Sequence, residues 1–174
     1  MPRSLTAPHV GAGTGTLAIS LAATRPDVAV TAVDGDADIL ALAQTKPGSE
    51  SVRWRRGLAD DLPLATAAAD VVVMSLVLHH LSSDAKRRAL TEVARVLRPG
   101  GRLHIADWGR PATALLRASF FVLQVIDGFE GTRDHAAGRV PELIHAAGFC
   151  DVQRYRRLRT AWGPLDLLEA RKHS

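Results

Sequence analysis

APHVGAGTGTLAISLA, residues 7–22, places Gly11, Gly13 and Gly15 at every second position and then runs directly into an apolar stretch of helical character. Glycines at a strand-to-helix turn permit positive φ and let a ligand approach bare backbone. The first turn of the helix behind them offers N–H groups that have no partner within the helix. The stretch predicts a ligand loop between a first strand and a first helix, the alternative being a tight turn that binds nothing.

Outward from the loop, strand-like and helix-like segments alternate. DVAVTAVD (27–34) reads as a buried strand, and residues 36–46 as a helix capped by Asp36 and stopped at Pro47-Gly48. SVRWRR (51–56) alternates as a short strand, and ADVVVMSLVL (69–78) is apolar on both faces, as an interior parallel strand is. Ser82 or Ser83 then caps a helix in which Ala89, Leu90, Val93, Ala94 and Leu97 recur at helical spacing. That helix ends at RPGG (98–101), before the strand RLHIAD (102–107). Residues 112–135 are expected to hold a helix with Leu115, Leu116, Ser119, Phe120, Leu123 and Ile126 near one side, then a glycine-flanked acidic loop. The alternation predicts an α/β fold with an open, mostly parallel twisted sheet covered on both faces. Ligands of such sheets bind beyond the carboxyl ends of the strands. The residues at those addresses are the glycine loop, Asp34, Ala59 to Leu62, His79-His80 and Asp107-Trp108.

The 174 residues fit one domain, and 47% hydrophobic against 23% charged residues describe a globular chain that can bury a core. The longest near-continuous apolar run, VVVMSLVL (71–78), is too short for a bilayer, and MPRSLTAPHV lacks the apolar centre of a signal peptide. A cytoplasmic location without membrane contact is expected. Cys150 stands alone, which excludes an internal disulfide, and is assigned to buried packing. The seven histidines show no His-Glu-x-x-His spacing, so no metal is expected. The net charge is +4, with arginines clustered in VRWRRG (52–57) and RYRRLR (154–159).

A dinucleotide loop reads G-x-G-x-x-G, but here the third glycine falls one place early, at Gly15, and Thr16 stands where that pattern needs glycine. This disfavours a nucleotide-dependent oxidoreductase. The G-x-G-x-G spacing resembles the first motif of the Rossmann-like, class I S-adenosylmethionine-dependent methyltransferases. Asp34, nineteen residues after Gly15, matches the acid that accepts both ribose hydroxyls, the alternative being a cap for the following helix. GLADDLPLATAAADVVVMSLVLHHL (57–81) is similar to the adenine-side loop and fourth strand of the small-molecule, ubiquinone-biosynthesis type. EVARVLRPGGRLHIADWG (92–109) is similar to their next helix, Pro-Gly-Gly turn and fifth strand, and AGFCDV (147–152) to their last helix-to-strand junction.

The resemblance implies a three-layer Rossmann-like sheet of order 3-2-1-4-5-7-6 with an antiparallel last strand and a short first strand. It implies S-adenosyl-L-methionine held by Gly11, Ala12, Gly13, Gly15, Asp34, Gly35, Ala59, Asp60 and Ser75, and methyl transfer to a small-molecule acceptor. His79, His80 and Asp107, at strand ends, are the candidate catalytic residues, although a histidine pair opening a helix can also simply pack or cap. Family insertions after the fifth strand shape the acceptor site, which adds Phe120, Gln124 and His135 as candidates. The family's acid two positions before the first glycine is His9 here, preceded by Pro8, and Leu58 stands where relatives often carry an acid facing the adenine, with Asp60 as the substitute. Family members also carry helices ahead of the first strand. The amino terminus is therefore expected to be truncated, the pocket open and cofactor binding weak, with a catalytically impaired binding protein as the alternative. In the family's strand order both arginine clusters lie on edge strands, where charge blocks edge-to-edge aggregation. That reading, and SLVLHHL in place of an Asn-Pro-Pro-Tyr-like motif, leave no nucleic-acid partner expected.

Overall fold

Pro8 lies in a central strand, where a residue without an amide hydrogen is least expected. In the structure, a computed structural model that describes residues 4–173, the first strand, β1 (Leu5–Val10), lies between β2 (Val28–Asp34) and β4 (Ala69–Ser75). All six residues of β1 pair with β2, but only His9 and Val10 pair with β4. Thr6 shows why: its N–H donates to the Asp70 side chain at 2.8 Å, on the β4 side. Backbone groups two residues apart face the same neighbour. The nitrogen of Pro8 therefore faces β4 as well, and the β4 ladder begins only beyond it.

The remaining strands are β3 (Arg53–Arg56), β5 (Leu97–Trp108), β6 (Phe149–Thr160) and β7 (Gly163–Lys172), and the sheet order is β3-β2-β1-β4-β5-β7-β6. The strands from β3 to β5 in that order run parallel, while β7 is antiparallel to both its neighbours. This is the expected topology, and both arginine clusters do fall on its edges. The helices are α1 (Thr16–Thr24), α2 (Ala37–Gln44), α3 (Ser83–Val96), α4 (Ala114–Asp127), α5 (Phe129–Ala137) and α6 (Val140–Ala146). On one face Ala18 and Ala22 of α1 bury against Val30 and Ala32. On the other, Leu90, Val93 and Val96 of α3 and Val140, Leu143 and Ile144 of α6 cover Val10, Val33, Val72, Met74, Leu103 and Ile105. Asp36 caps α2 by accepting from the N–H groups of Asp38 and Ile39, and Ser82 caps α3. Among the described residues no helix is long and apolar enough to cross a membrane.

Several expected segments are corrected. The fourth strand stops at Ser75 rather than residue 78, because Leu76 turns left-handed at φ +53 and donates its N–H to the Ala106 carbonyl; a 3-10 turn at Leu78–His80 follows. The fifth strand starts at Leu97 and takes in the Pro-Gly-Gly segment. The expected glycine-flanked acidic loop is helix α5, separated from α4 by Gly128 at φ +92. On α4, Phe120 is buried but Ile126 is 68% exposed, so the apolar residues do not form one covered stripe; the side chains of Leu115 and Leu123 lie outside the described residues. Cys150 is half-buried, its thiol 3.3 Å from the Arg171 carbonyl, rather than packed in the core.

Candidate active site

The glycine loop leaves β1 beside the end of β2. Gly11, Gly13 and Gly15 all adopt left-handed φ, at +69, +53 and +76. A Cβ on Gly11 would strike Val77 and one on Gly15 would strike the Trp54 ring, so these two glycines let the loop pack down. Gly13 differs, because a Cβ there would meet nothing within 4 Å. Its bare backbone faces open space. Asp34 closes the other side: Oδ2 accepts the Gly13 N–H at 2.7 Å and Oδ1 accepts the Asp36 N–H at 3.0 Å. A carboxylate has about four lone-pair sites, so both oxygens retain capacity for a ligand's hydroxyls.

His9, at the same end of β1, is buried, and neither ring nitrogen has a partner. Burial pushes its pKa down to about 4, against the opposing pull of Asp34. At neutral pH an uncharged imidazole therefore stands where the resemblance implies a carboxylate. Asp60 is engaged elsewhere, since its carboxylate accepts from Arg88 Nη2 at 2.9 Å and Nε at 3.1 Å. Leu58 is exposed, and Ala59 packs against the main core. Ser75 ends β4 opposite Ala106, and Gly35 packs on Leu58.

Beyond β4 and β5 the candidate catalytic residues converge. Val77 packs on Gly11, and the next two residues bind Asp107: its Oδ2 accepts the Leu78 N–H at 2.9 Å, and its Oδ1 lies 2.7 Å from His79 Nδ1. The Trp108 N–H donates to Oδ1 at 2.8 Å. Burial of Asp107 pushes its pKa up, but the His79 hydrogen bond and the electrostatic pull of the neighbouring His135 and His79 rings outweigh this and hold it below the usual carboxylate range. The ionised Asp107 requires the proton on His79 Nδ1, which makes Nε2 the basic nitrogen. His80 is exposed and its ring lies 4.0 Å from that of His79. His135, from α5, brings Nε2 to 3.6 Å from Asp107 Oδ1, outside hydrogen-bond range, and both its nitrogens are buried without partners. Burial pushes its pKa down to about 4, so it too is neutral.

Sequence reasoning missed the residues that bring α5 there. Lys86 is fully buried, and its Nζ donates to the carbonyls of Leu81 (2.6 Å) and Gly131 (2.5 Å) and lies 3.4 Å from Asp134. Burial pushes its pKa down and Asp134 opposes this. The signal was present: Lys86 is three, four and seven residues before Ala89, Leu90 and Val93, on the buried stripe. A cavity of about 420 Å³ opens past β5, lined by Asp107, Trp108, His135 and residues of β6 and β7. Of the candidates from the segment after β5, His135 lines it, whereas Phe120 is buried against Gly163 and Gln124 donates to Thr132.

Residues 8–105 match the family described as a methyltransferase domain. A malonyl-[acyl-carrier protein] O-methyltransferase of Methylococcus capsulatus is 30% identical over 146 residues, 83% of this chain and 51% of that protein. A ubiquinone/menaquinone biosynthesis C-methyltransferase of Rubrivivax gelatinosus is 38% identical over 100 residues, 58% of this chain and 38% of that protein. The chain thus spans about half the length of these relatives, or less. Among solved structures, a SAM-dependent methyltransferase of Methanosarcina mazei superposes with a TM-score of 0.78 at 21% identity, covering 98% of this chain and 94% of that one. Human N-acetylserotonin methyltransferase in complex with SAM gives 0.73 at 22% identity, covering 97% and 48%. At these identities the structural likeness concerns the fold.

Proposed function

This chain belongs to the class I S-adenosylmethionine-dependent methyltransferase family, and we propose that it transfers a methyl group to a small organic acceptor held in the cavity beyond β5. The observation that carries this reading is the segment 77–79. Val77 packs on the glycine loop while Leu78 and His79 bind Asp107 at the cavity wall, so one short turn joins a nucleoside-type site to an acceptor-type site.

The residues present fit the cofactor. Open space at Gly13 admits it against bare backbone, Asp34 retains acceptor capacity for ribose hydroxyls, and the orphaned nitrogens of His9 lie buried at the same strand end. S-adenosylmethionine, when bound, supplies a methyl group already activated by its positive sulfur. The protein then has to hold the acceptor in line and exclude water, which is positioning work. Asp107 and Trp108, at the end of β5, line the cavity that does this. Where the acceptor atom must lose a proton, His79 Nε2 takes it and Asp107 stabilises the resulting imidazolium. Asp107 is a positioning residue, acting through His79.

His9 favours a second reading, a cofactor-binding protein with little turnover, since a neutral imidazole supplies no charge for the cofactor's ammonium. Calorimetric titration with S-adenosylmethionine and S-adenosylhomocysteine tests both. Binding of both is expected, weakened about tenfold or more in Asp34→Ala, the loss of a charge-assisted hydrogen bond. Absence of binding in the parent chain would overturn both readings, whereas binding without turnover on a broad acceptor panel would favour the second.

A further inference from the structure

Arginines are the prevailing charged residues of the cavity beyond β5. Arg110, Arg117, Arg154 and Arg157 line it, against the two carboxylates of Asp107 and Asp166. The arginines of β6 that were assigned to edge protection thus do something more specific: two of them turn toward a walled space. Asp166 accepts from Arg157 Nε at 2.5 Å and Nη2 at 2.7 Å, and lies 3.5 Å from Arg154 Nη1. Its charge is consumed by holding that pair, and its bidentate grip fixes the Arg157 plane. Gly109 makes the approach possible, since a Cβ there would collide with the Asp166 carboxylate.

The guanidinium groups of Arg110 and Arg117 have no hydrogen bond or ion pair among the described residues, although the Arg117 backbone N–H donates to the Thr113 carbonyl. The stem of Arg110 is seated over Gly138, where a Cβ would lie 3.0 Å from Arg110 Cδ. A second, independent observation lies deeper in the same wall. Trp108 Nε1 and both nitrogens of His135 are buried without partners, and unpaired buried polar groups are uncommon in folded proteins.

We propose that this cavity is an anion subsite, and that the acceptor carries a carboxylate or phosphate group which Arg110 and Arg117 bind, with Arg157 forming the pre-oriented floor. The inference rests on the reading of the cavity as the acceptor site and adds the acceptor's chemical class. Convergence on one half-open cavity, rather than a continuous basic stripe, fits one small anion better than a nucleic-acid backbone.

Binding of three probes that share a phenyl ring, phenylacetate, phenyl phosphate and the neutral phenylacetamide, tests it by ligand-observed NMR titration. The parent chain is compared with Arg110→Gln, Arg117→Gln and, as a control of equal charge change on the opposite sheet edge, Arg53→Gln. At least one anion is expected to bind about tenfold more tightly than the amide, with the difference lost in Arg110→Gln or Arg117→Gln and kept in Arg53→Gln. Preference between the two anions names the group. Equal binding of amide and anions overturns the inference, as does an Arg53→Gln effect as large as that of Arg110→Gln, which would mean attraction to net charge alone. S-adenosylhomocysteine titration of the same samples separates the two readings. Cofactor binding without anion discrimination overturns the subsite alone, and anion discrimination without cofactor binding overturns the methyltransferase reading while supporting the subsite.

Discussion

His79 and His80 are adjacent in sequence and carry the same chemistry, yet only His79 is buried with its Nδ1 2.7 Å from Asp107. Which of the two turns inward depends on Leu76, whose left-handed backbone ends β4 and starts the 3-10 turn. No residue type in SLVLHHL announces that turn. A glycine is the usual signal for positive φ, and none is there. If His79 is the base, His79→Ala lowers kcat/KM by about 10²- to 10⁴-fold and leaves S-adenosylhomocysteine affinity unchanged, while His80→Ala changes neither appreciably. Equal losses from the two variants, measured by steady-state kinetics on any accepted substrate, would remove the assignment.

At the scale of elements, α5 decides the site. GFEGTRDH reads as a loop because its glycines and short polar residues are weak helix formers. Tertiary contact overrides this: α5 is anchored by Lys86 on the Gly131 carbonyl, and Asp134 accepts from the Ser83 hydroxyl at 2.6 Å. Gly131 is required by close approach, since a Cβ there would overlap the His79 carbonyl. Gly131→Ala is therefore expected to destabilise the fold by about 1–3 kcal/mol, the typical cost of overpacking, despite the better helix propensity of alanine. Urea denaturation measures this, and a stabilised variant would mean that α5 does not pack on the turn. Because His79 is the residue displaced, kcat is expected to fall more than cofactor affinity.

For the whole molecule, two buried neutral histidines set an acid limit. His9 and His135 take up a proton near pH 6.5 in the unfolded chain but only at about 4 in the fold. Between those values the unfolded state binds more protons. The stability they contribute is thus full above pH 6.5 and lost as the pH falls toward about 4, by about 3 kcal/mol for each group. Asp107 and Asp134 are held below the usual carboxylate range, so their contribution is lost at still lower pH. Urea midpoints taken from about pH 7.5 to about pH 4.5 should fall steadily, and His9→Leu should remove roughly half of that fall. A flat profile would show that neither histidine is held neutral.

The sequence by itself determined an open, mostly parallel α/β sheet, the glycine loop, Asp34 and the strand-end positions of His79 and Asp107, while the strand order came only with the family resemblance. These follow from local rules: an apolar strand, a glycine turn and a capped amphipathic helix each occupy a contiguous stretch, and their alternation admits few topologies. Only the tertiary structure decided how Pro8 fits a central strand, which histidine faces inward, that Asp60 is engaged by Arg88, and that arginines from β6 share a cavity with Arg110 and Arg117. Each of these depends on groups tens of residues apart meeting in a space of a few ångströms. Residue type and period along the chain carry no record of such meetings, because they arise from the packing of elements against one another.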